Sequence, residues 1–224
     1  WAGFAQGYNP PARFRRLVKL AAQHKLRVNT IVADCLAEVL EVFKDVHREI
    51  PIDKERWMIG HVIETSSEQL QLIRELGLII ETIPLTHLWL RGNRFLEEPE
   101  AANQAVAHRD YLDQGVNFGL GTDNKPYSPF PTIWAAIARQ ERTTKKVLGP
   151  TQIITRMEAL KAITMGGAYF CFEENNRGSL EGGKLADLAV LSDDYLSVPE
   201  DEIPELNSVL TMLGGQVVHS SGDI

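Results

Sequence analysis

Cysteine is almost absent from this sequence, since its 224 residues include only Cys35 and Cys171. Two isolated cysteines build neither a disulfide framework nor the paired spacing of a zinc site. The sequence therefore indicates a protein of a reducing compartment, and we expect it to be cytoplasmic.

Long apolar runs and an excess of positive charge are also missing. No apolar run approaches the ~20 residues that cross a bilayer, and no signal-peptide pattern is present. The 23 Lys and Arg residues are outnumbered by 30 Asp and Glu, which gives a formal net charge of −7. Because nucleic-acid binding depends on Lys and Arg neutralising phosphates, we expect neither a nucleic acid nor a membrane as a partner.

The first two thirds of the sequence alternate between helical and strand-like patterns. Apolar residues recur at helical spacing in residues 10–25 and 37–50, and Thr65 with Glu68 forms a capping-box signature before a third helix. The predicted strands are residues 26–32, 57–63, 78–84 and 116–121, with a polar helix over 98–114 before the last of them. Four such repeats predict an α/β fold with a parallel sheet.

The pattern changes after Pro150. A helix predicted over about 155–168 leads into a glycine-rich turn at 178–184. Short β-rich runs follow over 186–191 and 208–218. These runs predict a small β unit beside the α/β body.

Three residues fall at or near the carboxyl ends of predicted strands, where parallel α/β folds place functional groups. His61 ends the second strand, Asp123 follows the fourth, and Thr30 lies near the end of the first. An imidazole and a carboxylate at strand ends suit a divalent metal, and a carboxylate beside a metal-bound water can take its proton. The alternative is a buried histidine bonded to backbone and an aspartate that caps a turn.

The other histidines are less informative. His87 follows the third strand, where it either hydrogen-bonds a substrate or is an ordinary loop histidine. The remaining four are interpreted as surface residues: His24, His47, His108 and His219.

Several segments resemble the amidohydrolase superfamily. Residues 119–126, Gly-Leu-Gly-Thr-Asp-Asn-Lys-Pro, resemble its Gly-Ser-Asp-x-Pro signature at the last barrel strand. Residues 133–139 are similar to the following helix, 158–168 to the helix that closes the barrel, and 178–191 to the return into an accessory β-sandwich. The closest resemblance is to amidohydrolase family 3, which includes N-substituted formamide deformylases.

The resemblance implies an α/β fold, namely the carboxyl-terminal half of a TIM-type (β/α)8 metal-dependent hydrolase barrel. Residues 1–172 would form the barrel portion, with about four βα units and the closing helix, and 173–224 part of the β-sandwich. Such a barrel needs about 250 residues, so we expect this chain, which begins at Trp1, to be part of a longer protein. Because the missing half would carry the other metal ligands, we expect the isolated chain to be inactive. A half barrel also exposes a strand edge, so we expect the chain to associate with the missing half or a second copy, or to be a proteolytic or partial-sequence product.

The resemblance also implies a chemistry, the hydrolysis of a non-peptide carbon–nitrogen bond in a small amide or formamide-like substrate. His61 and Asp123 would be ligands of a divalent metal, with zinc the favoured ion. Asp123 would also be catalytic, as the general base and later the proton donor to the leaving amine. His87, Arg139 and Asn124 would bind the substrate.

The sequence departs from the family pattern at several site positions. Thr30 stands where family 3 has a ligand histidine, with Asp34 four residues on, Gly60 replaces the Glu before His61, and Ile83 replaces a Gln. A hydroxyl is a weaker ligand than an imidazole, so Thr30 is a degenerate ligand position. A rival prediction is a non-catalytic relative that keeps the barrel for binding or assembly. A third prediction is a subfamily whose mononuclear metal site uses different ligands.

Overall fold

A four-stranded parallel sheet organises the first part of the chain. A computed structural model describes residues 10–123 and 127–222. The sheet strands are β1 (Asn29–Ile31), β2 (Met58–Gly60), β3 (Ile79–Thr82) and β4 (Phe118–Leu120), paired in chain order. All neighbours are parallel, which confirms the predicted alternation of strands and helices.

Helices connect and cover these strands. The α-helices are α1 (Pro11–Gln23), α2 (Leu36–Glu49), α3 (Ser67–Glu75), α4 (Pro99–Gln104), α5 (His108–Asp113), α6 (Phe130–Ala138) and α7 (Arg156–Phe170). A π-helix spans Leu85–Leu90, and 3-10 helices span Gly92–Phe95, Pro150–Gln152 and Glu200–Glu205. Within the described ranges, no helix is long and apolar enough to cross a membrane.

The main hydrophobic core lies between the sheet and the helices that follow its strands. Phe14 of α1 stacks on Phe43 of α2 with 6.1 Å between ring centroids, and Phe43 meets the ring of Trp57 edge-on at 5.1 Å. Trp57 is fully buried, and its indole N–H donates to the carbonyl of Leu26 over 3.1 Å. These contacts fix β2 against the first two helices.

A second, antiparallel sheet contains β5 (Leu188–Leu191), β6 (Ser208–Leu213) and β7 (Gln216–Ser220). This sheet is the small β unit predicted for the tail. The connection between β5 and β6 is joined to α7, because the Tyr195 hydroxyl donates to the carbonyl of Arg156 over 2.8 Å. The division into 1–172 and 173–224 stays a prediction.

Two local predictions are corrected. The capping box at α3 is formed by Ser66 and Gln69, one residue beyond the predicted pair of Thr65 and Glu68. The single helix predicted over 98–114 is interrupted between α4 and α5, where Val106 has a φ of 47°. The turn there gives the chain two short helices.

The prediction that His108 is a surface residue is wrong. Its side chain is fully buried, and its Nε2 lies 2.9 Å from the hydroxyl of Thr82. Its ring stacks on Phe118 with 5.1 Å between centroids. Burial, and then the charge of Arg139, hold the pKa of His108 well below its usual range, so the imidazole is a neutral core group.

Candidate active site

His61 and Asp123 lie just beyond the carboxyl ends of two strands of the parallel sheet. His61 directly follows β2, and Asp123 comes three residues after the end of β4. Both have a φ of 58°, in the left-handed region that non-glycine residues seldom adopt. Such a conformation costs about 1–3 kcal/mol and is common at functional sites. The two side chains predicted as metal ligands are thus both held in strained turns at one edge of the sheet.

Glu81 of β3 also reaches this edge of the sheet. It was not among the site residues predicted from the sequence. Its Oε2 accepts a 2.9 Å hydrogen bond from the backbone N–H of His61. A Cβ atom on Gly60 would lie 3.1 Å from Oε2, and one on Gly121 would lie 1.9 Å from Oε1. The carboxylate therefore occupies a slot between β2 and the segment after β4. The available signal in the sequence was a single acidic residue inside a predicted strand.

The charges of this edge act on one another. Burial raises the pKa of Glu81, the N–H and the charge of His61 lower it, and the negative charge of Asp123 raises it. The net direction is upward. Glu81, His61 and Asp123 therefore form one electrostatic unit.

His87 belongs to the same unit. It lies in the π-helix and is 5% exposed, with its ring centroid 6.2 Å from that of His61. Burial and the nearby charges of His61, Arg91 and Arg94 lower its pKa to about 4, while Asp123 acts in the opposite sense. A neutral imidazole at pH 7 follows. Its Nδ1 is buried and has no hydrogen-bond partner among the described residues.

Thr30, the predicted degenerate ligand position, lies elsewhere. It is fully buried and stands in register with Ile59, which in turn is in register with Ile80. Side chains in register share a face of a sheet, and both isoleucines belong to the hydrophobic core. The structure places Thr30 on the core face, opposite the face that presents Glu81.

Arg139 is also placed away from a substrate. It is fully buried, and its guanidinium donates to the carbonyls of Leu148, Val106 and Ala105 over 2.7 to 2.8 Å. These bonds give it a structural role between two loops and correct the expectation that it contacts substrate. Asn124, the other predicted substrate residue, lies outside the described residues.

The described part of the chain does not complete a metal site. In residues 10–123 and 127–222, no group of three or more His, Cys, Asp or Glu side chains is arranged to hold an ion. Catalytic zinc usually takes three protein ligands and a water. His61 and Asp123 offer donors of the right kind, and the described residues add no third in ligand geometry.

Comparison with known proteins identifies the family. Residues 1–219 match the model of a family described as the amidohydrolase family. The chain belongs to this family, which confirms the resemblance found in the sequence.

Two curated relatives and one solved structure show the similarity in detail. An N-substituted formamide deformylase from Arthrobacter pascens is 29% identical over 199 residues, which cover 85% of this chain and 36% of the relative. A 5-methylthioadenosine/S-adenosylhomocysteine deaminase from Teredinibacter turnerae is 28% identical over 157 residues, which cover 70% of this chain and 33% of the relative. Both relatives are named for reactions that break carbon–nitrogen bonds.

The solved structure is that of an adenosine deaminase from Xanthomonas campestris with bound zinc. It matches with a TM-score of 0.68 and 18% identity, covering 99% of this chain and 52% of that one. At this identity the likeness shows the fold alone. The chain spans about a third of the length of the two curated relatives.

Proposed function

We propose that this chain is the carboxyl-terminal part of a metal-dependent hydrolase that cleaves a non-peptide carbon–nitrogen bond of the amide or formamide type. The observation that supports this most is the placement of His61, Asp123, Glu81 and His87 at one edge of the parallel sheet, where they interact electrostatically. Family membership and the similarity to a formamide deformylase support the reaction class. The sheet would be half of a (β/α)8 barrel.

In the proposed reaction, Asp123 is the catalytic proton carrier. Its carboxylate accepts a proton from the attacking water and then gives it to the leaving nitrogen, which departs as an amine. The segment that presents Asp123 follows β4 directly, so the carboxylate stands at the rim of the sheet. Neutral His87, whose ring centroid lies 6.2 Å from that of His61, would hydrogen-bond the substrate.

The proposed cofactor is a divalent metal, with zinc favoured because imidazole and carboxylate groups are among its usual ligands. His61 and Asp123 would be this chain's ligands, and at least one more would have to come from beyond the described residues. The described residues thus supply only part of the ligand set that a catalytic zinc needs.

The proposal is tested with the complete protein that contains this sequence. Its metal content is measured after purification, and amine release is followed with a panel of N-substituted formamides and simple amides. We expect bound zinc or another divalent metal, hydrolysis of at least one formamide, and loss of that activity on chelation. A metal-free protein that hydrolyses none of the panel would contradict the proposal.

The rival candidate is a non-catalytic relative that keeps the fold for binding or assembly. The placement of Thr30 on the core face and the incomplete donor set favour it. A full set of negative results in the same experiment is what this candidate predicts. Self-association of the isolated chain, which we expect of a half barrel under either candidate, is measured by light scattering.

A further inference from the structure

Glu81 binds the turn at His61 through two separate groups. Its side-chain Oε2 accepts from the N–H of His61 at 2.9 Å, and its backbone carbonyl accepts from the N–H of Val62 at 3.3 Å. Two consecutive N–H groups just past the end of β2 are thus held by one residue of the neighbouring strand. The second of these bonds is part of ordinary strand pairing, and the first exists only because residue 81 has a long acceptor side chain.

The first bond is placed where the backbone needs support. His61 has a φ of 58°, a conformation that is locally unfavourable for a residue with a Cβ. An acceptor that fixes its N–H stabilises this conformation relative to an extended one. The direction of the imidazole depends on it, because a change of φ at residue 61 would swing the ring.

Two glycines make the room that the Glu81 carboxylate occupies. A Cβ on Gly121 would lie 1.9 Å from Oε1 and 2.9 Å from the carboxyl carbon, which is a collision. A Cβ on Gly60 would lie 3.1 Å from Oε2, which is tighter than an ordinary contact. Neither glycine has a positive φ, so the space they leave, and not backbone freedom, explains them.

We propose that Glu81 is a positioning residue of the active site, which reaches across from β3 to hold His61 in its left-handed turn and so aims the imidazole. Gly60 and Gly121 are the two positions that admit its carboxylate. The effect of Glu81 on catalysis rests on the proposed function. Its hydrogen bond to the backbone of His61 does not depend on that function.

The proposal distinguishes substitutions at residue 81 by what they keep. Glu81→Gln keeps an acceptor oxygen of the same reach and should preserve the turn. Glu81→Ala removes the side-chain acceptor, so the N–H of His61 loses this hydrogen bond. Gly121→Ala keeps Glu81 but displaces its carboxylate by collision. The matched controls are Glu75→Ala on an exposed helix face and Gly182→Ala, where a Cβ meets nothing within 4 Å.

The test measures two quantities in the complete protein. Hydrogen exchange of the His61 amide is followed by NMR on protein labelled with 15N-histidine, and kcat and KM are measured with an N-substituted formamide. We expect faster His61 exchange in Glu81→Ala and Gly121→Ala. We also expect a fall in kcat of about 100-fold with little change in KM, the effect typical of a misplaced catalytic group. Glu81→Gln and the two controls should resemble the parent.

Two results would overturn the inference. One is an unchanged His61 exchange rate in both Glu81→Ala and Gly121→Ala. The other is a Glu81→Gln protein as impaired as Glu81→Ala, which would assign the role to the charge and not to the hold on the backbone. If the parent protein hydrolyses no formamide, the proposed function fails, while the exchange measurement still decides whether Glu81 holds His61.

Discussion

The guanidinium of Arg139 donates a 2.8 Å hydrogen bond to the carbonyl of Val106, at the break between α4 and α5. A second bond of 2.8 Å goes to Ala105, and the Nε donates to Leu148 over 2.7 Å. Burial lowers the pKa of this arginine to about 10, so it stays charged at neutral pH. One buried side chain thereby joins three loop carbonyls.

Replacing Arg139 with Met should destabilise the fold. The carbonyls lose their donor in the interior, and the expected decrease in the free energy of unfolding is about 3 kcal/mol. Chemical denaturation of the parent and the variant measures it. Arg142→Met is the control, because Arg142 is exposed, and it should change stability by less than about 0.5 kcal/mol. Equal stability of the two variants would contradict the role of Arg139.

Arg56 and Glu174 should be more strongly coupled than an exposed ion pair. The two guanidinium nitrogens of Arg56 donate to the two carboxylate oxygens of Glu174 at 3.0 and 2.6 Å, and the Cζ of Arg56 lies 3.7 Å from the ring centroid of Tyr169. The bond from Arg56 lowers the pKa of Glu174 to about 2. A double-mutant cycle with Arg56→Lys and Glu174→Gln should show clear positive coupling, since Lys has no bidentate fork.

The exposed pair of Arg48 and Asp45 is the comparison for that cycle. Its side chains are 65% and 33% exposed, against 20% and 23% for Arg56 and Glu174. Exposed pairs contribute little because water and salt screen them. A coupling for Arg56 and Glu174 no larger than that for Arg48 and Asp45 would contradict a stabilising link between the residues before β2 and the segment after α7.

Acid should destabilise the protein partly through Glu141. This buried carboxylate accepts from the backbone N–H groups of Thr144 and Thr143 at 2.7 and 3.0 Å, which lowers its pKa from 4.5 to about 2. A lowered pKa in the folded state stabilises the protein above pH 4.5, and that stabilisation is lost as the pH falls from 4.5 to about 2.

Denaturation curves collected from pH 7 to pH 2 test this. Glu141→Gln should be less stable than the parent at pH 7 and should lose less stability between pH 4.5 and pH 2. Glu205→Gln, on the exposed 3-10 helix, serves as the control. A pH dependence of Glu141→Gln that overlays the parent would remove Glu141 from the acid response.

The parallel sheet could be predicted because its signal is local. Each strand is a short apolar run between amphipathic helices, and the run length and the helical spacing are visible in the sequence. The break at Val106 could not be predicted in the same way. The carbonyls exposed by that break are bonded by Arg139, which is distant in sequence, so nothing in residues 98–114 signals it.

The site was predicted in part for a similar reason. His61 and Asp123 follow strands and match motif positions, so the sequence marks them as candidates, and their roles as ligands stay predictions. Glu81 gains its position from Gly60 and Gly121 on other segments, and only the folded sheet brings the three together. Arg139 matched a motif, but the burial that makes it structural depends on the fold.

Asp123→Asn tests the central claim, that this edge of the sheet performs carbon–nitrogen bond hydrolysis. Asn is nearly isosteric and tolerates the left-handed φ of 58° at this position, so the turn should survive. The rate of amine release from an N-substituted formamide is measured for the complete parent protein, for Asp123→Asn and for the distant control Asp201→Asn. We expect a fall in kcat of at least about 100-fold for Asp123→Asn alone. An unchanged rate in that variant would contradict the central claim.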